Sequence, residues 1–142
     1  MPCRNNISHT TYRRFIFLAL VSVTFAFLAV PASAADVVSQ KYPDVIAAKV
    51  RSSGPDTFDF DVTVSSPCDT SQRYADAFHV ANKNGVVYGE RKLWHDHADE
   101  QPFTRDLYSV KVPRGVRVVV IQARDQRLGY GGKSIEVPLP GR

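Results

Sequence analysis

Between Thr57 and Ser65 apolar and polar residues alternate without a break, with Phe58, Phe60, Val62 and Val64 set against Asp59, Asp61 and Thr63. Successive side chains of an extended chain point to opposite faces, so a period of two gathers the four apolar side chains on one face. Wound into a helix, the same run would scatter them around the axis. The segment therefore demands a strand with one buried face, and a strand of that kind needs a second layer to cover it.

The rest of the chain divides into segments of similar length. Asp44 to Arg51 forms a shorter strand, ended by the turn formers Ser52-Ser53-Gly54-Pro55-Asp56, and Ser66 to Ser71 is a loop. Tyr74 to Ala81 places Tyr74, Asp76, Phe78 and Val80 on one face and Ala75, Ala77, His79 and Ala81 on the other. It runs into Asn82-Lys83-Asn84-Gly85, where the Asn-Gly step predicts a type I′ hairpin returning as Val86 to Trp94. A polar segment from His95 to Gln101 precedes a strand from Pro102 to Val112 and a turn at Pro113-Arg114-Gly115. Val116 to Ala123, with four β-branched residues in succession from Val118 to Ile121, reads as a central strand. Arg124 to Gly132 is a glycine-rich loop, and Ile135, Val137 and Leu139 alternate in a last strand that Pro138 and Pro140 assign to an edge. No segment has a 3.6-residue period.

About seven short strands separated by turns at roughly ten-residue intervals predict an all-β fold, an antiparallel β-sandwich of immunoglobulin or fibronectin type III kind, with an open barrel as the alternative. Its predicted core is Phe58, Phe60, Val62, Phe78, Val119, Ile121, Ile135 and Val137.

The N-terminus carries Arg4, Arg13 and Arg14, then an apolar run from Phe15 to Val30, then Pro31-Ala32-Ser33-Ala34. This is the order of a secretory signal peptide, with Ala32 and Ala34 as the small residues of a cleavage site. The run is 16 residues long, short of the about 20 that cross a bilayer. We expect residues 1–34 to be a cleaved leader, residues 35–142 to form one domain, and the product to be periplasmic or secreted with no membrane span. Cleavage removes three basic residues and leaves 15 basic against 14 acidic. The basic pI thus belongs mostly to the leader, and nucleic-acid binding is not expected. It also removes Cys3, so Cys68 is expected to stand without an internal partner, most simply as a small buried hydrophobe.

Three stretches, Tyr74-Ala75-Asp76-Ala77-Phe78, His95-Asp96-His97-Ala98-Asp99-Glu100-Gln101-Pro102-Phe103-Thr104-Arg105 and Gly129-Tyr130-Gly131-Gly132, resemble those of small exported bacterial proteins of uncharacterised function. The last third, with its turn, Val-rich strand, glycine-rich loop and edge strand, is similar to the end of a fibronectin type III domain. The resemblance implies an exported β-sandwich and no activity.

Chemistry concentrates in His95-Asp96-His97-Ala98-Asp99-Glu100. On an extended backbone His95 and His97 project from one face about 7 Å apart, a spacing from which two imidazoles can share Cu²⁺ or Zn²⁺, with Asp99 or Glu100 as further ligands. The opposing reading is a solvated loop whose carboxylates pair with Arg91, Lys92 and Arg105. Arg105 falls on the face of Phe103 and Leu107, where a charge needs a partner, and Asp76 is the predicted one. Trp94, Tyr88 and Tyr130 are candidates for an aromatic platform for a glycan or peptide, and Gly129 to Gly132 reads as flexible backbone. No nucleophile elbow or H-E-x-x-H appears. The sequence therefore points to a non-catalytic binding module whose partner is an envelope or periplasmic protein, with no cofactor. A periplasmic copper- or zinc-binding protein and a small hydrolase are the alternatives.

Overall fold

The computed structural model describes residues 40–142; the predicted leader, its cleavage site and Cys3 lie outside the described residues. The elements in order are β1 Asp44–Gly54, β2 Thr57–Ser65, β3 Ala75–Ala81, β4 Val87–Lys92, a 3-10 turn Ala98–Glu100, β5 Phe103–Lys111, β6 Val118–Asp125, β7 Gly129–Tyr130 and β8 Ile135–Pro138. They form two antiparallel sheets, one ordered β1-β2-β5 and the other β4-β3-β6 with β7 and β8 beyond β6. β7 pairs with Arg124 and Asp125, and β8 with Val118 to Ile121. The two short strands are therefore successive pieces of one edge, interrupted between Tyr130 and Ile135. Where seven strands and a loop over Arg124 to Gly132 were expected, β6 extends to Asp125 and β7 adds an eighth strand.

The period of two in β2 has the predicted result: Phe58, Phe60, Val62 and Val64 are each no more than 2 % exposed. They meet Phe78 and Val80 of β3, Val119 and Ile121 of β6 and Val137 of β8 in a single core between the sheets. Seven of the eight predicted core residues belong to it, and Ile135 packs against it at the partly buried rim. The run Val118 to Ile121 alternates half-buried and buried side chains, as a strand between β3 and the edge pieces should.

Two local expectations are corrected. A bulge in β3 shifts its register with β6 between Ala75 and Ala77, so Ala75 joins the core and Asp76 leaves the face of Phe78. The β3–β4 hairpin forms, but not through a type I′ turn. Gly85 N–H donates to Asn82 O at 3.0 Å and Asn82 N–H to Val86 O at 2.9 Å, and of the Asn-Gly pair Gly85 alone has positive φ, at 84°. This is the three-residue loop in which a type I turn is followed by a left-handed glycine. Asn82 Oδ1 reinforces it by accepting from Asn84 N–H and Val86 N–H.

Gly131 and Gly132 are not loose backbone. A Cβ on Gly131 would lie 2.4 Å from the Tyr42 ring, and one on Gly132 2.4 Å from the Pro43 carbonyl oxygen. Val45 N–H donates to Lys133 O, and Lys133 N–H to Asp44 Oδ1. The start of the described chain is thereby fastened against the turn that follows Tyr130.

Candidate functional site

Because β3 pairs with β4 on one side and β6 on the other, its outward residues meet polar partners from both. His79 is in register with Glu90 and with Gln122, and Ala77 with Lys92 and Arg124. Ala77 and Ala81 are small, buried and outside the core cluster, which leaves room above them for longer side chains. Tyr130 fills much of it. Its ring lies over the His79 imidazole with centroids 4.1 Å apart, and its hydroxyl donates to Glu90 Oε2 at 2.5 Å. A side chain from the sheet's edge thus reaches across β6 and β3 to β4. The tight packing of Gly131 and Gly132 on Tyr42 and Pro43 fixes the backbone that aims it.

Lys92 Nζ pairs with the other oxygen of Glu90 at 2.7 Å, and Arg124 Nη1 pairs with Asp76 Oδ2 at 2.9 Å. Four groups in this network titrate away from their ordinary values. Burial pushes the His79 imidazole down, against the pull of Glu90. Burial raises Asp76 despite Arg124 and Lys92, because one carboxylate oxygen is enclosed without a partner. Hydrogen bonds from Lys92 and Tyr130 hold Glu90 below the usual carboxylate range, and burial together with Glu90 raises the Tyr130 phenol far up. Displaced titrations gathered on one face are a mark of functional surfaces. The network also contains charge pairs of the structural kind, which displace titrations too.

Beyond Lys92 the chain stays extended long enough for Leu93 N–H to bond Asp76 O at 2.8 Å. Lys92 points outward and Leu93 into the core, so Trp94 follows on the outward side, and it is 83 % exposed. Of the three predicted platform aromatics, Trp94 and Tyr130 project outward, whereas Tyr88 packs against the core.

The predicted metal cluster is arranged differently. His95 and His97 meet edge to face with centroids 4.6 Å apart. The His97 side chain is 1 % exposed, and its Nδ1 donates to Glu100 Oε1 at 2.6 Å. Arg105 Nη2 donates to the same oxygen at 2.5 Å, which makes Glu100, not Asp76, the partner of Arg105. The two bonds hold Glu100 below its ordinary range. His97 stacks on Phe103 at 4.0 Å, and its Nε2 is buried without a partner. His95 is exposed and donates from Nδ1 to the Asp96 carbonyl. Asp99 is exposed on the 3-10 turn. Among the described residues no group of three or more His, Cys, Asp and Glu side chains is placed to hold a metal ion.

This loop is instead anchored beneath by Asp69. That carboxylate is 6 % exposed and accepts from the Ser66 hydroxyl, from Ala75 N–H at 3.0 Å and from His97 N–H at 3.3 Å. Burial raises its titration against the pull of those donors. Gln101 adds bonds from Ser66 N–H and to His97 O. Cys68, expected as a small buried hydrophobe, is half-buried in the loop after β2.

The sequence named Trp94 and Tyr130 as platform candidates, but the polar network that surrounds Tyr130 was not legible in it. Tyr130 lies 40 residues from Glu90, and only the strand order brings them together. The available signal was the polar residues His79, Glu90 and Lys92 at outward positions of the hairpin, set beside the small Ala77 and Ala81.

No family model matches this chain, and no solved structure matches it. It is similar to a protein of Halomicrobium mukohataei that bears the name "Putative lipoprotein", with 35 % identity over 94 residues. The match covers 66 % of this chain and 46 % of that protein, so the chain spans about half the length of the relative. No helix among the described residues is long and apolar enough to cross a membrane.

Proposed function

We propose that the protein is an exported, non-catalytic binding module of the cell envelope, that its described domain is a fibronectin type III-like sandwich, and that it binds through the outward face of the β4-β3-β6-β7 sheet. The strand orders, three strands facing four positions, support that sandwich class. The leader-like N-terminus and the name of the Halomicrobium relative support an envelope location. The observation that carries the binding face is Trp94. It is the single tryptophan of the chain, it is 83 % exposed, and it stands on the same face as the Tyr130 network. A large ring in water gains nothing for the fold and is the kind of residue that anchors a partner.

Co-sedimentation of the exported protein with isolated cell-envelope fragments tests this. The protein is expected in the pellet, and Trp94→Ala is expected to move most of it to the supernatant with its thermal transition unchanged. A soluble parent, or a Trp94→Ala protein that pellets like the parent, would count against the binding face.

A further inference from the structure

The outward face carries two aromatic rings and two closed ion pairs, and that combination selects a kind of ligand. Lys92 is paired with Glu90 and Arg124 with Asp76, so the strip between Trp94 and Tyr130 has no net charge. An anionic or cationic ligand would have to open one of these pairs, at the cost of leaving a partly buried charge alone. A neutral ligand rich in hydroxyls need not. A carboxylate or guanidinium already in a pair keeps unused lone pairs or N–H groups at its outer edge, where a hydroxyl can serve as both donor and acceptor. The rings supply the other half of the recognition. Tyr130 has one face on the imidazole beneath it and remains 36 % exposed, and Trp94 is free on nearly all sides. Flat aromatic faces pack against the C–H faces of pyranose rings, burying apolar area while leaving the sugar hydroxyls at the rim.

The positions also suggest length. Glu90, to which the Tyr130 hydroxyl is bonded, and Trp94, two residues past the end of β4, are four residues apart, which spans up to about 13 Å of chain. That distance suits a chain of several sugar rings lying along β4 better than a single sugar. The strip is an open sheet face without walls, so it favours a flat ribbon over a coiled chain. We propose that this face binds a neutral, β-1,4-linked polysaccharide. The proposal rests on the binding-face reading above and gives it a ligand class.

Isothermal calorimetry on the exported protein with cellohexaose and with chitohexaose tests it. Saturable binding of at least one hexasaccharide is expected, weakened about tenfold by Trp94→Ala and by Tyr130→Ala. Tyr130→Phe, which keeps the ring and loses the bond to Glu90, should bind within about threefold of the parent. Circular dichroism melting of each variant separates lost binding from lost fold. If neither hexasaccharide binds at about 1 mM, the saccharide proposal falls, while co-sedimentation sensitive to Trp94 would still uphold the face itself. Binding that survives both alanine variants would overturn the assignment to this face, as would retention of the parent by protein-free, sugar-free lipid vesicles in place of saccharide binding.

Discussion

Asp69 shows how much one side chain can organise in a domain of this size. Its carboxylate joins the loop after β2, the first residue of β3 and the loop that carries His97. Replacing it with Ala leaves two backbone N–H groups and a hydroxyl enclosed without an acceptor. At about 1–3 kcal/mol for each unsatisfied buried group, Asp69→Ala should cost about 3 kcal/mol after partial relaxation. Urea denaturation measures this, and a loss below about 1 kcal/mol would show that the loops are held in another way. His79 gives a pH dependence. Burial lowers its folded titration below the unfolded value of about 6.5, so the unfolded chain takes up the proton more readily. The contribution of neutral His79 to stability is therefore fully present above about pH 6.5 and is lost as pH falls through that value towards the folded one. Denaturation midpoints across this range should fall more steeply for the parent than for His79→Gln, and equal slopes would remove His79 from the account.

At the scale of elements, the faces of β2, β6 and β8 were legible because alternation is a local property. The face of Tyr74 to Ala77 was not, since a bulge is a choice of register made by the partner strand, and nothing within Tyr-Ala-Asp-Ala announces it. The Asn-Gly step marked the hairpin correctly and its turn wrongly, because both turn types place a glycine at a left-handed position. The glycine-rich segment was misjudged for a related reason. Glycine serves both where backbone is loose and where another part of the chain must come close, and only the packing of Tyr42 and Pro43 decides between them. Gly131→Ala, whose Cβ would meet the Tyr42 ring, should therefore cost about 2 kcal/mol or more. Gly85→Ala, with open space but a φ of +84°, should cost about 1 kcal/mol from backbone strain alone. Thermal melts of the two variants check the order, and a Gly131→Ala protein as stable as the parent would mean that the segment yields easily.

For the whole molecule, the sequence carried the all-β class and the core because a domain of this length must bury its alternating residues in one place. Phe60→Ala accordingly should remove about 3–5 kcal/mol in a denaturation experiment, against about 5–15 kcal/mol expected for a domain. The metal-like cluster at His95 to Glu100 drew attention because ligand-type residues adjoin in sequence. In the fold His97, Glu100 and Arg105 close on one another, whereas the outward face is assembled from residues far apart in the chain. The proposed function turns on contact between this face and the partner. Hydrogen exchange of the exported protein, followed by mass spectrometry with and without isolated envelope fragments, tests it most directly. Slowed exchange is expected in peptides covering residues 75–94 and 118–130, and no slowing in β1, β2 or β5. Protection confined to the β1-β2-β5 sheet, or absent altogether, would contradict it.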